Sequence, residues 1–255
     1  MIINPYRFLW TPEQATTQAW WDAADTDTIS DTGGLTDSIT DKSGNSLTLS
    51  ALSTKRPTTN SVTMNSLNTL LFQGAANEMN TASNPFGASI SNAAIFMVIK
   101  TPSLLVKGTN FTLTGSATNA YRWQAHAPWV STVYFDCGAV ATPNRISSGS
   151  WVTTSEEIFC SFYCSTTDSV QQIWKNGTQT VADASGHTVS TVGNIFIGSA
   201  NGSQYQNFQL GECIIINGTV TTTLRQMIEG YLAWKWGMQA KLPSGHPYEY
   251  EPPLG

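Results

Sequence analysis

The stretch SVQQIWKNGTQTVA, residues 169–182, predicts a β-hairpin. Two alternating runs flank the pair Asn176–Gly177, and both positions of such a two-residue turn need the positive φ that Asn and Gly adopt readily. Similar short runs, each ended by turn residues, recur along the chain and are typical of a sandwich or barrel. They predict strands over Gln18–Ala23, Leu47–Leu49, Leu70–Phe72, Ala94–Lys100, Phe111–Thr114, Tyr121–Ala127, Thr132–Cys137, Glu157–Ser165, Ser169–Lys175, Asn194–Ser199 and Phe208–Asn217.

The composition indicates an ordered, all-β protein with few charges. Lys, Arg, Asp and Glu make up 11% of the 255 residues, against about 25% in an ordinary soluble chain. The 34 Thr and 26 Ser residues take their place, and Thr favours strands. With 40% hydrophobic residues and 9 Trp, the chain has too much apolar surface to stay unfolded.

Charge and hydropathy argue against two classes of partner. The net charge is −5 and the 12 basic residues are scattered, so we expect no nucleic-acid binding. The longest apolar run, Ala93–Ile99, is far shorter than the roughly 20 residues that span a bilayer. The N-terminal MIINPYRFLW lacks the regions of a signal peptide. We therefore expect synthesis in the cytoplasm and no membrane insertion.

A single helix is predicted over residues 222–237, because apolar residues recur there at helical spacing. Thr223 is the predicted N-cap, with Gln226 three positions later, and Gly237 ends the helix. The predicted organisation is an N-terminal arm or strand over 1–19, one sandwich domain over 20–242, and an extended proline-rich tail over 243–255 that is pinned to a surface.

Catalytic patterns are missing from the sequence. Two acids at positions i and i+2 of a strand share one face and could serve a glycosidase. The one Glu that is followed two positions later by an acid is Glu249, with Glu251, and both lie in the proline-rich tail. Adjacent Glu156 and Glu157 would point to opposite faces of a strand. The three histidines, His126, His187 and His246, have no acidic neighbour and no nucleophile motif. We predict no catalytic residues.

No cofactor or metal site is predicted, with one alternative left open. The cluster Asp22, Asp25, Asp27 and Asp31 is interpreted as turn residues, and a calcium site at the rim is the alternative. The four cysteines are interpreted as small buried hydrophobes. They are Cys137, Cys160, Cys164 and Cys213. Because Cys160 and Cys164 alternate with polar and aromatic neighbours, they should share one strand face without pairing with each other.

Several phrases together resemble a known family. They are WWDAADTDTI at 20–29, DKSGN at 41–45, Arg56–Pro57, IWKNG at 173–177, NIFIGS at 194–199 and the closing motif, IEGYLAWKWGMQAKLPSGHPY at 228–248. This chain resembles the laminin-G-like, concanavalin A-like domains of bacteriophage virion proteins and bacterial surface proteins. The resemblance implies a jelly-roll β-sandwich of two antiparallel sheets with one C-terminal helix. The fold hosts lectins, glycosidases and architectural modules, so it does not settle function.

The closing motif is interpreted as fold-determining, with a binding surface as the alternative. Glu229 could accept hydrogen bonds from Arg56 or Lys42. Tyr231, Trp234 and Trp236 would fill the seam between helix and sheet.

The candidate partner site is the aromatic stretch YRWQAHAPWV, with Tyr121, Trp123, His126 and Trp129. Non-catalytic sugar sites use aromatic rings and a few fixed polar groups. Tyr121 and Trp123 would share a strand face, which is either core or an aromatic platform. A second aromatic group, Trp10 with residues 5–8, is either a strand on the sheet or an arm that docks on a neighbouring subunit.

The leading hypothesis is a non-enzymatic structural protein of a bacteriophage virion, as a capsid decoration, fibre-base or tail-associated adhesin module. Its expected partners are other virion proteins, identical subunits and a host cell-surface glycan. The alternative hypothesis is a carbohydrate-binding module or lectin of a bacterial or phage surface protein.

Overall fold

Two antiparallel sheets and one helix build the protein, as seen in a computed structural model that describes residues 9–102, 107–114, 122–140, 143–149, 154–190 and 193–255. The predicted all-β sandwich with a C-terminal helix is confirmed. The strands are β1 (Thr17–Asp22), β2 (Ile29–Thr32), β3 (Leu35–Ile39), β4 (Leu49–Ser50), β5 (Thr63–Met64), β6 (Leu67–Asn68), β7 (Leu70–Gln73), β8 (Met79–Thr81), β9 (Ser89–Ile90), β10 (Asn92–Lys100), β11 (Phe111–Thr112), β12 (Arg122–Trp129), β13 (Thr132–Gly138), β14 (Arg145–Ser148), β15 (Glu157–Ser165), β16 (Val170–Lys175), β17 (Thr178–Asp183), β18 (Val189–Ser190), β19 (Phe196–Ile197) and β20 (Asn207–Asn217). The α-helix is α1 (Thr222–Lys235), and short 3-10 turns cover Pro12–Gln14, Thr26–Thr28 and Gln239–Lys241.

The strands form two large sheets and two small ones. The seven-stranded sheet has the order β1-β20-β10-β15-β16-β17, with β7 also paired to β20. The nine-stranded sheet has the order β14-β13-β12-β11-β19-β8-β4-β3-β2. β9 pairs with β18 and β5 with β6. The hairpin predicted at Asn176–Gly177 joins β16 to β17, and both turn residues have positive φ, 49° and 78°.

The seven-stranded sheet is a middle layer that is buried on both faces. Side chains at 95, 97 and 99 of β10 enter the main core between the two sheets. Those at 94, 96 and 98 pack in a second core with α1. Burial on both faces explains why β10 reads as a continuous apolar run without alternation.

The N-cap of helix α1 lies two residues before the predicted one. The Thr221 side chain accepts a hydrogen bond from the Leu224 amide at 3.2 Å, so Thr221 is the N-cap and the prediction of Thr223 is wrong. Thr221 is the last residue with extended backbone, and Thr223 already lies inside the helix. The helix ends at Lys235, and Gly237 follows with φ 67°.

A buried carboxylate ties α1 to the sheet. Glu212 of β20 has no exposed surface. It accepts hydrogen bonds from four side chains, with donor distances of 2.6 to 2.8 Å. These donors are Trp20 Nε1, Tyr231 Oη, Lys235 Nζ and Trp236 Nε1. Lys235 Nζ also lies 2.6 Å from Asp22 Oδ2 on β1. Three elements therefore meet at one ionic centre.

The predicted partners of Glu229 are wrong. Its carboxylate accepts from Arg225 Nη1 at 2.6 and 2.7 Å and lies 3.3 Å from His246 Nε2. Arg225 precedes Glu229 by four residues, which places both side chains on one helix face. Arg56 instead pairs with Asp37 at 2.8 Å, and Lys42 pairs with Asp22 and Asp25.

The two terminal segments meet on α1. Leu9 bridges Leu254, and the Trp10 amide donates to the Pro253 carbonyl at 3.0 Å. Trp10 is buried in the second core but lies outside the strands, and residues 5–8 lie outside the described chain. Thr17 already belongs to β1, so the predicted boundary between the N-terminal arm and the sandwich domain, at residue 19, falls inside the sheet.

The C-terminal tail also contacts the helix, where Trp234 Nε1 donates to the Tyr248 carbonyl. The tail forms turns at residues 243–249, so the predicted extended conformation is not found there.

All four cysteines are buried, as interpreted from the sequence. A disulfide, which was not anticipated from the sequence, joins Cys137 of β13 to Cys164 of β15 and so links the two sheets across the core. Cys160 and Cys213 are free thiols. Cys160 and Cys164 do share the core face of β15, as their alternation predicted.

Glu212→Gln keeps the side-chain shape but places an amide NH2 among donors. We expect a loss of about 3 kcal/mol in the free energy of unfolding, because one partner of a buried ion pair is removed. Urea denaturation measures the loss. The matched control, exposed Glu13→Gln, should change stability by less than about 0.5 kcal/mol. Equal effects of the two substitutions would contradict the role given to Glu212.

Candidate functional site

A polar cleft lies on the outer face of the nine-stranded sheet, where β12 and β13 run side by side. Trp123, Ala125 and Ala127 of β12 enter the main core. The even-numbered residues of β12, Arg122 and His126 among them, point to the opposite face because side chains alternate along a strand. Arg122, His126, Trp129, Tyr134, Val140, Arg145 and Gln204 line a cavity of about 260 Å³ there.

Asp136 of β13 is the electrostatic centre of this cleft. It has no exposed surface. Arg145 Nε donates to its Oδ1 at 2.5 Å and Arg145 Nη2 to its Oδ2 at 2.7 Å, while Arg122 Nη1 lies 3.5 Å from Oδ2. Burial opposes ionisation of Asp136, but the interactions with Arg145 and with the neighbouring His126, whose Nε2 lies 3.8 Å from Oδ2, outweigh burial and lower the pKa of Asp136. One ionised carboxylate is therefore shared by two arginines.

His126 has both ring nitrogens engaged. Nδ1 lies 2.8 Å from the Gly108 carbonyl, which can only accept, so Nδ1 carries the proton and donates it. Nε2 then accepts from Gln124 Nε2 at 3.0 Å. Both ring nitrogens of His126 therefore have partners inside the protein.

Aromatic rings form the walls of the cleft. Trp129, at the end of β12, is half-buried and meets His126 edge to face with ring centroids 4.9 Å apart. Tyr134 of β13 is half-buried, and the Arg145 guanidinium carbon lies 4.7 Å above its ring. Gln204 accepts from Thr109 Oγ1 through Oε1 at 3.0 Å, which turns its amide group toward other partners. Rings and fixed polar groups thus surround one small cavity.

The structure separates the four predicted site residues. His126 and Trp129 lie together in the cleft. Trp123 is fully buried in the main core against Phe111 and Phe135, so its assignment to a binding site is wrong. Its position on the inward face of β12 decides this. Tyr121 lies outside the described residues.

Sequence reasoning missed Tyr134, Asp136, Arg145 and Gln204. They come from β13, β14 and a loop much later in the chain, so only the folded sheet brings them together. Pairing places Asp136 opposite Gln124 and beside Arg145. One local signal existed: Asp136 is an acid inside an otherwise apolar strand, TVYFDCG.

Two other cavities are less suited to a polar ligand. The larger, about 430 Å³, lies beside the start of α1 and includes Trp174 and Arg225. Arg225 lies 3.6 Å from the centre of the Trp174 ring, within van der Waals contact, and therefore covers the face of the one Trp in this cavity. The other, about 380 Å³, is lined mostly by apolar side chains such as Trp10, Trp234 and Pro253.

The acidic cluster of the sequence holds lysine side chains. Lys42 Nζ lies 2.5 Å from Asp25 and 3.1 Å from Asp22, where a cation would sit. Asp31 accepts from the Gly34 amide in a turn. Within the ranges that the structure describes, no three His, Cys, Asp or Glu side chains are grouped to hold a metal ion. The same ranges contain no helix with the length and apolarity to cross a membrane.

Asp136→Asn removes the charge that gathers the two arginines. We expect a loss of about 3 kcal/mol in the free energy of unfolding at neutral pH. Since the folded pKa of Asp136 lies below 3.8, the ionised group stabilises the fold above pH 3.8, and this contribution disappears as the pH falls below that value. The free energy of unfolding is measured with urea at several pH values. The difference in this free energy between the wild type and the variant should become smaller as the pH falls.

Asp27→Asn is the control for this series, because Asp27 lies in a partly exposed 3-10 turn. Its free energy of unfolding should vary with pH as that of the wild type does. If the free-energy difference between the wild type and Asp136→Asn stays constant down to pH 2, the ionic role of Asp136 is contradicted.

Comparison with known proteins gives structural likeness alone. No protein-family model and no curated protein sequence matches the chain. Domain 4 of AbnA, an extracellular arabinanase from Geobacillus stearothermophilus, in complex with arabinotriose, is similar with a TM-score of 0.60 and 12% identity over 82% of this chain and 96% of that chain. The binding domain of botulinum neurotoxin DC in complex with SialylT has a TM-score of 0.59 and 9% identity, covering 86% and 52%.

A third similar structure is the Trypanosoma rangeli sialidase in complex with the inhibitor DANA. Its TM-score is 0.54 at 12% identity, over 81% of this chain and 31% of the sialidase. The chain thus spans nearly all of the arabinanase domain, about half of the toxin binding domain and about a third of the sialidase. At these identities the likeness establishes a shared β-sandwich fold.

Proposed function

We propose that this chain is a non-catalytic carbohydrate-binding module that holds one sugar residue in the cleft of the nine-stranded sheet. The observation that carries the proposal is the combination of the Trp129 and Tyr134 rings with fixed polar groups around one cavity. Aromatic rings pack on the apolar faces of sugars, and a few oriented donors fix the hydroxyls. The volume, about 260 Å³, is below the roughly 300 Å³ at which sites for drug-sized ligands begin, which suits a single sugar ring.

The ligands of the similar structures support the same class. The arabinanase domain was solved with arabinotriose and the toxin binding domain with SialylT. Because the arabinanase domain is matched over 96% of its length, the comparison concerns a complete domain of similar size. A carbohydrate ligand is therefore consistent with the fold as well as with the cleft.

The engaged state of the ionisable groups supports a binding role without catalysis. Both nitrogens of His126 and both oxygens of Asp136 have partners inside the protein. His246 donates toward Glu229 and accepts from the Tyr248 amide. A general acid or base needs a group that can exchange its proton with the substrate, and these three groups are committed to structural contacts.

Trp129→Ala should remove the aromatic wall and leave the core intact, because the side chain is half-buried at the strand end. On a glycan array and in titration calorimetry with the best array ligand, we expect an affinity loss of about 30-fold or more, as for an aromatic anchor of an interface. Tyr250→Ala is the matched control, since Tyr250 is 84% exposed and remote from the lining residues. It should keep the wild-type affinity. Failure of the wild type to bind any glycan would contradict the proposal.

We further propose that the module belongs to a bacteriophage virion, where it acts as a decoration, fibre-base or tail-associated adhesin beside identical subunits and other virion proteins. The resemblance of the closing motif to phage virion domains supports this location, and the low charge fraction, 11%, suits surfaces packed against neighbours. Mass spectrometry of purified particles tests it. We expect the 27.6 kDa chain in infectious particles, and its absence from them would contradict the location.

A further inference from the structure

The cleft carries more positive than negative charge, although the protein as a whole is acidic. Nine of the eleven lysines and arginines in the described ranges make a salt bridge. Arg122 and Arg145 share one carboxylate, Asp136. Lys107, on the segment that bridges Trp129, is exposed. A ligand that brings a negative charge would therefore balance the site.

Arg145 presents a second, unused binding edge. A guanidinium has five N–H donors in a fixed plane. Asp136 takes the side edge, formed by Nε and one Nη2 hydrogen. The end edge, formed by the remaining Nη2 hydrogen and an Nη1 hydrogen, has no partner among the described residues. The Arg145 side chain is 27% exposed and lines the cavity, so a ligand in the cavity can contact it.

The same contacts hold the guanidinium plane in place before a ligand arrives. Asp136 binds it from the sheet side with two hydrogen bonds, and the Tyr134 ring lies against its face. A cation that is already ordered loses little side-chain entropy on binding. Two parallel N–H groups match the two oxygens of a carboxylate in both spacing and direction.

We infer that the ligand of this cleft is an acidic sugar, whose carboxylate binds the end edge of Arg145 while its ring packs on Trp129. This inference rests on the proposed carbohydrate function and names the class of sugar. Gln204, whose Oε1 is held by Thr109, supplies an amide donor to the hydroxyls on the other side of the cavity.

A ligand-side experiment tests the charge without altering the fold. The methyl α-glycoside of N-acetylneuraminic acid is compared with its methyl ester, and methyl β-glucuronide with methyl β-glucoside. In at least one pair the acid should bind about 10- to 100-fold more tightly, the value of a hydrogen-bonded ion pair. Raising the salt concentration should weaken binding of the acid and leave the neutral partner unchanged. Equal affinity within both pairs would overturn the inference.

Variants of Arg145 complete the test. Arg145→Gln should remove the preference for the acid, and Arg145→Lys, which keeps the charge but loses the planar edge, should restore part of it. Melting temperatures are recorded for both, because Asp136 loses a partner in the first variant. Since Arg145→Gln could disturb the fold, the ester comparison on the wild-type protein decides the matter independently.

The outcomes of the two proposals are separable. If the array gives Trp129-dependent binding of neutral sugars only, or ranks sulfated sugars above carboxylated ones, the acidic-sugar inference is overturned and the carbohydrate function stands. If no sugar binds, both are overturned. Both proposals are supported if carboxylated sugars are the strongest ligands and if their binding is weakened by Trp129→Ala and by Arg145→Gln.

Discussion

The carboxylate of Glu212 is the constraint on which the arrangement of helix and sheets depends. An ionised group without water or partners would be prohibitively unstable in a protein interior. Four donors from β1 and α1 surround it, so α1 can occupy only the one position that brings Tyr231, Lys235 and Trp236 there together. The segments near both chain ends pack on α1, so the position of α1 also fixes theirs.

Other buried acids are also paired with basic side chains. Asp136 and Glu229 each hold an arginine, and Asp22 holds two lysines. With so few charges in the chain, the buried acids consume most of the cations that the structure describes. The cleft of the nine-stranded sheet differs because two arginines, Arg122 and Arg145, contact one acid there, Asp136. The proposed recognition site lies at this convergence of charged groups.

Local sequence signals predicted the longer strands, the Asn176–Gly177 turn and the position of α1, because each depends on neighbours in the chain. Eight shorter strands, β2, β3, β5, β6, β8, β9, β14 and β18, were not predicted. Alternation along β15 correctly placed Cys160 and Cys164 on one face, but the partner of Cys164 is Cys137 on another strand. That pairing depends on how the two sheets stack, and no local pattern encodes it. Trp123 failed for a related reason: an aromatic pattern marks two faces of β12 without saying which one is core.

Two of the seven residues that line the cleft were predicted as site residues from the sequence, and the reason is geometric. His126 and Trp129 lie on one short stretch of β12, whereas Asp136 and Arg145 reach them through hydrogen-bonded neighbours in β13 and β14. Contacts across strands depend on register, which is set by the whole sheet.

The alternation of β12 has a consequence for protein engineering and for divergence. Its inward positions 123, 125 and 127 carry the stability of the sandwich, and its outward positions face the cleft. Substitutions on the outward side can therefore accumulate without a repacking of the core, provided that Asp136 keeps its arginine. A library randomised at the cleft rim, at Trp129, Tyr134, Val140 and Gln204, would explore new ligands on an unchanged scaffold.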